Sequence, residues 1–272
     1  MSDEFFPDAR KELVGTRPEF SRSEVAASGV VETSPEDSAS NNWSILIDSD
    51  TMETEIKRIS QSLGRDVTTP TAFKAEGFKA CRGHFSLLAV LWAVAAEFDE
   101  PVRWQDGAPG LRELYSQAGH NAKAGSDATY QEAQERRDDL AALVRGERPA
   151  TSKSAAREAD WSHVADRPPL MQRMNVAFQD RLSPWAANPR QFERNRREVR
   201  HEAQLVAMLA EVIQKEGFEF WDDETYRDYA RELGQAATAT AQAADQGNYE
   251  RAREAIGRMG QACNDCHDGY RE

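Results

Sequence analysis

Apolar side chains in this chain recur at intervals of three and four residues, and nowhere alternate with polar ones over the length of a strand. Its buried surface therefore has to be assembled from helices. A first helical pattern starts near Asp50, with Met52, Ile56, Ile59 and Leu63 on one face. After Pro70 a second runs from about Thr71 to Phe98, its stripe formed by Leu87, Leu88, Leu91, Val94 and Ala95. A loop at Gly107–Gly110 precedes a third helix with Leu111, Leu114, Tyr115 and Ala118, and a fourth carries Tyr130, Ala133, Leu140 and Val144. Residues 146–168 are polar and bounded by prolines, as a linker would be. The pattern then restarts with Leu170, Met171, Met174, Phe178, Leu182 and Trp185. Asn188-Pro189 opens a helix whose stripe is Leu205, Val206, Leu209, Val212 and Ile213. Trp221 lies in a short loop, Tyr226, Tyr229, Leu233 and Ala237 mark the next helix, and Gly247-Asn248-Tyr249 opens the last.

The expected fold is thus all-α: two tandem four-helix bundles at 46–145 and 169–272, joined by the 146–168 linker. Residues 1–45, rich in Ser, Glu, Asp and Pro, read as a disordered or tethering N-terminal segment. The two halves also keep a common offset. Pro70 and Pro189 are 119 apart (189 − 70), as are Phe73 and Phe192 (192 − 73) and Tyr130 and Tyr249 (249 − 130). Shared Pro-X-X-Phe and loop Trp positions favour a tandem duplication over chance similarity of apolar spacing.

A formal net charge of −13 argues against a nucleic-acid footprint, disfavours an anionic membrane surface and would attract a cationic protein partner. No stretch reaches the roughly 18 apolar residues that span a bilayer. The longest, Phe85 to Ala96, stops at Glu97 and reads as a buried helix. The acidic start Met1-Ser-Asp-Glu carries no export signal.

Two of the three cysteines fall in the run Cys263-Asn264-Asp265-Cys266-His267. On a helix Cys263 and Cys266 lie about one turn apart and face the same way, with His267 beside them. Cys-X-X-Cys-His is the pattern by which two thiols form thioethers with the vinyl groups of a haem while the histidine binds its iron. The preceding stripe of Tyr249, Ala252, Ile256 and Met259 continues into Cys263, so the thiols extend a buried face. A zinc site would require further ligands, and only Cys81 and scattered histidines remain. A redox dithiol would sit at a helix N-terminus after a strand, and no strand precedes this motif. Cys81 reads as a small buried hydrophobe, and His84 and His120 as surface or satisfied histidines. Because haem attachment of this kind takes place outside the cytoplasm, an upstream export signal or anchor and a periplasmic location are expected.

The segment from Ala255 to Arg271, with Cys263-Asn264-Asp265-Cys266-His267 followed by Tyr270-Arg271, resembles the last helix of class II c-type cytochromes, the cytochrome c′ and c556 family. Trp221, the Ala-rich third helix and the Gly-Asn turn before helix four resemble it as well, and the likeness covers about residues 168–272. It implies one covalent haem c, with Cys263 and Cys266 as thioether anchors and His267 as the proximal iron ligand. It also implies that Arg271 is the basic residue beside the proximal imidazole, although a C-terminal Arg favourable to the helix dipole reads equally well. For the distal side it implies either a methionine from the first helix, Met174 or Met171, or an open site blocked by Leu170 or Phe178. The Arg-X-X-X-Met spacing of the c556 type is not reproduced, since Ala177 stands four residues after Arg173.

The 119 offset places Val144, Glu147 and Arg148 opposite Cys263, Cys266 and His267, so the first half carries no haem attachment. No nucleophile or acid–base constellation marks the chain as an enzyme. One-electron transfer with a cationic redox partner is the expected function. The alternatives are NO or CO binding at five-coordinate iron and a non-haem helical interaction module. The resemblance also allows a homodimer.

Overall fold

Several of the long helices begin at a residue whose side chain caps it. Asp48 Oδ1 accepts from the Thr51 amide at 2.7 Å to start α2 (Ser49–Asp66), following the short α1 (Trp43–Leu46). Thr69 caps a turn, Pro70–Ala72, that passes through a π-helical turn, Phe73–Gly77, into α3 (Phe78–Glu97). The next two helices are α4 (Ala108–Asn121) and α5 (Asp127–Arg145). Ser126 and Thr129 form a reciprocal capping box at the start of α5, and Gly146 ends it with φ +99°. The second half comprises α6 (Arg167–Asn175), a π-helical segment Val176–Leu182 with the turn Ser183–Trp185, α7 (Pro189–Val212), α8 (Glu224–Asp245) and α9 (Tyr249–Tyr270). Asn188, Asp223 and Asn248 cap the last three. This computed structural model describes residues 42–147, 156 and 158–271, and among them there is no strand.

Most residues of the apolar stripes read from the sequence are buried, while Leu114, Val144, Met171, Phe178, Trp185, Tyr229 and Tyr249 are half-buried. Met52, Ile56, Ile59 and Leu63 are at most 3% exposed. From Phe85 to Ala96 every residue of α3 is buried, as a helix covered all round requires. It is covered by α2 and α4 from its own half and by α6 from the other. In the second half α8 lies between α7 and α9, and α7 also meets α1, α2 and α6.

The halves therefore do not hang from a free linker: α2–α5 and α6–α9 share one compact unit. The described end of the 146–168 stretch is itself packed. Trp161 is buried with its ring 5.8 Å from that of Trp43, and the Ala159 amide donates to Glu97 Oε1 at 2.8 Å. Asp166 forms ion pairs with Arg82 at 2.7 Å and Lys123 at 3.0 Å. Trp43 is fully buried in α1, so the tail expected over 1–45 ends before it; residues 1–41 lie outside the described residues. The Gly107–Gly110 loop is shorter than expected, because Pro109 takes the first turn of α4.

One ring pair occurs twice at the 119 offset. Phe73 and Tyr130 stack with centroids 5.5 Å apart and planes at 59°, and Phe192 and Tyr249 at 5.9 Å and 58°. Among the described residues the two non-glycine residues with positive φ, Trp104 and Phe220, also sit in corresponding loops, between the second and third helices of each half.

Candidate functional site: the thiol pair at the end of the last helix

Helix α9 starts at the Asn248 cap, whose Oδ1 accepts from the Arg251 amide at 3.1 Å, and buries Ala252, Ala255, Ile256, Met259 and Ala262. Its last turns carry Cys263 and Cys266, both half-buried and both free thiols, followed by His267 on the exposed side. Burial, and then the neighbouring Cys266, pushes the Cys263 thiol up to about 11. Burial raises Cys266 too, against the Arg167 charge. A redox dithiol or a metal thiolate requires the opposite shift, because both need the deprotonated sulfur. Among the described residues no group of three or more His, Cys, Asp or Glu side chains is placed to hold a metal ion. His267 is held below the ordinary histidine value by burial and by the charges of Arg271 and Arg167, which favours the neutral ring that binds iron. Arg271 is exposed just beyond α9 and acts on His267 through its charge.

Three neighbours complete the surroundings. The first is Arg167, at the start of α6, which pairs with Glu219 at 2.7 Å and stands 5.0 Å over the Phe220 ring. The second is Tyr226 of α8, fully buried, whose hydroxyl has no hydrogen-bond partner; Arg167 stands near it without completing a well-directed bond. Burial pushes that phenol up to about 12, and Cys266 is among the groups that act on it. Tyr270 packs edge-on against Tyr226 at 5.4 Å and Phe220 at 5.0 Å. The third is Gly260, one turn before Cys263, where an added Cβ would meet the Phe178 ring at 2.7 Å.

Arg167 and Phe178 are thus two anchor points along α6 and the π segment, facing Cys266–His267 and Gly260 in antiparallel order. Met171 and Met174 lie between them, Met171 half-buried and Met174 at 7% exposure, with Leu170 fully buried. The residues present suit a haem: two same-face thiols, a histidine directly after them, and the orphaned Tyr226 hydroxyl beside them.

The other sequence candidates sit elsewhere. Cys81 is fully buried, its thiol pushed up to about 12 by burial and by Asp66. His84 Nε2 meets Asp66 at 3.0 Å, and His120 Nδ1 meets the Ser116 carbonyl at 2.8 Å. All three match the bland readings given to them.

Sequence reasoning missed Tyr226, Arg167, Gly260 and a buried charge cluster beside α6. In that cluster Arg173 joins Glu55 at 3.1 Å and Glu202 at 2.8 Å, Arg181 also meets Glu202, and His201 Nε2 meets Glu55 at 2.9 Å. A usable signal was present, for Glu55 and Glu202 interrupt apolar stripes at core positions. Arg173, one residue from a candidate ligand, is engaged in this cluster.

No curated protein and no solved structure matches the chain. Residues 214–271 match the family model of cytochrome c′, from the α7–α8 loop through the thiol pair to Arg271. The C-terminal region of this chain is therefore class II cytochrome c-like, and the match implies haem binding there.

Proposed function

We propose that the protein is an exported one-electron carrier holding one haem c through Cys263 and Cys266, with His267 as proximal ligand and a methionine of α6 as distal ligand. The observation that carries this reading is the same-face pair of thiols, Cys263 and Cys266, followed directly by His267 on the last turns of α9. When bound, the haem would supply a one-electron iron couple. The chain's own residues attach it, orient it and exclude water. Tyr226, Tyr270 and Phe220 wall the C-terminal turn, and Arg167 places a cation beside it. Of the two methionines Met174 is preferred, because it is the more buried.

No helix among the described residues is long and apolar enough to cross a membrane, and the cytochrome c′ family is typically periplasmic and non-enzymatic. The net charge of −13 suits a cationic redox partner, and exposed Trp221 beside Asp222 offers one contact surface for it. The first half is read as a haem-less duplicate, supported by the repeated ring pair, and self-association into a homodimer belongs to the same reading. A second reading, gas binding at five-coordinate iron, is favoured by Phe178, whose ring already occupies the approach to Gly260.

The test is a visible spectrum of protein produced with the haem-attachment machinery. Low-spin bands unmoved by CO, and lost in Met174→Leu or in Met171→Leu, support electron transfer. High-spin bands that shift with CO support gas binding. Haem that stays bound in denaturant must require Cys263 and Cys266, and its absence from the wild type rejects both readings.

A further inference from the structure

The seam between the halves is polar along one face of α2. Asp48, Thr51, Glu55 and Arg58 meet, in antiparallel order, Arg200 with Gln204, Gln204, His201 and Glu198 of α7. Its far end is wet: Arg58 and Glu198 pair at 2.8 Å with side chains 37% and 42% exposed. Its middle is dry, with Glu55, His201 and Glu202 at 5%, 6% and 0%. Into that dry middle α6 sends Arg173, whose guanidinium is shared between Glu55 of one half and Glu202 of the other. Arg181, from the π segment, closes on the second oxygen of Glu202. Two carboxylates thus balance two guanidiniums, with His201 Nε2–H donating to Glu55. The stretch from Arg173 to Arg181 is pinned at both ends, and Met174 and Phe178 lie within it.

We infer that Glu55 is a positioning residue: through Arg173 it sets how α6 and the π segment stand against α9, so the haem-less half acts on the distal side of the thiol-pair site. Arg173 is long, and without Glu55 it would have to share one carboxylate with Arg181 in a dry setting, an arrangement that charge burial opposes. The guanidinium then moves toward water and takes α6 with it. The effect on haem rests on the proposed function; the placement of α6 belongs to the polypeptide alone.

The experiment is amide hydrogen exchange by mass spectrometry on the full chain, with and without haem, for Glu55→Gln, Glu55→Asp and Arg58→Gln. Glu55→Gln is expected to speed exchange over residues 170–182 about tenfold or more while α8 and α9 keep wild-type rates. Glu55→Asp recovers part of the protection, and Arg58→Gln, on the same seam, changes nothing there. In haem-loaded protein Glu55→Gln changes the high-spin fraction or the CO association rate about twofold or more, and Arg58→Gln does not. Unchanged exchange at 170–182, or acceleration spread evenly over all helices, overturns the inference. A spectrum and CO rate that stay at wild-type values overturn its effect on the site. If Glu55→Gln does not fold, Arg173→Lys, which keeps the charge and loses the fork, must produce the same local acceleration. A wild type that takes up no haem rejects the proposed function but leaves the exchange result to decide the placement of α6.

Discussion

Replacing Glu55 by Gln removes a carboxyl that titrates far from its ordinary place. Burial by itself would raise it, but the His201 hydrogen bond and the Arg173 charge outweigh burial and bring it from 4.5 down to about 2. A folded-state value below the unfolded one means that folding favours the ionised form. The stabilisation is therefore complete above about 4.5 and drains away as the pH falls toward about 2. A gap of about 2.5 at about 1.4 kcal/mol per pH unit gives about 3 kcal/mol, undiminished by screening because the residue is only 5% exposed. Urea unfolding followed by circular dichroism, at a series of pH values from about 7 to about 2, measures it. At neutral pH the variant should be less stable by about 3 kcal/mol, with the same urea slope, and the two curves should converge below about 4.5. Other carboxylates titrate in both proteins and cancel in the difference. A difference that stays constant with pH would refute the reasoning, since the loss would then come from packing and not from ionisation.

Further perturbations separate the costly features from the cheap ones. Arg58→Ala, which breaks the exposed pair with Glu198 on the same seam, should cost less than about 1 kcal/mol, and less still in high salt. Gly217→Ala should lower the melting temperature by several degrees, a loss of about 2 kcal/mol or more, because φ is +97° and the added carbon lands on Ser162. Asn248→Ala removes the cap of α9 and should cost about 1 kcal/mol, read as earlier thermal loss of helix.

Much of the architecture was legible in the chain because it is written locally. The spacing of Met52, Ile56, Ile59 and Leu63, and of Leu205, Val206 and Leu209, specifies which helix faces are buried wherever those helices pack. Asn188-Pro189 and Asn248-Tyr249 announce helix starts because a cap is a bond between residues three apart. The thiol pair was legible for the same reason: one helical turn brings Cys263 and Cys266 to one side. The π-helical segments were not legible, since the wide turn at Val176–Leu182 is set by what Phe178 and Arg181 meet across space. Trp43 and Trp161 were assigned to a tail and a linker because each is buried by the other's segment, more than a hundred residues away.

The division follows the range of the interactions. By itself the sequence determined an all-helical chain with a pair of thiols one turn apart near its end, because helix period, caps and motif spacing act within a turn or two. Tertiary structure alone decided that the sets form one unit, that Tyr226 and Arg167 stand beside Cys266, and that Glu55 in the first set holds Arg173 in the second. Those are contacts between residues far apart in sequence. Their energy depends on which groups are taken out of water together, and no local pattern records that.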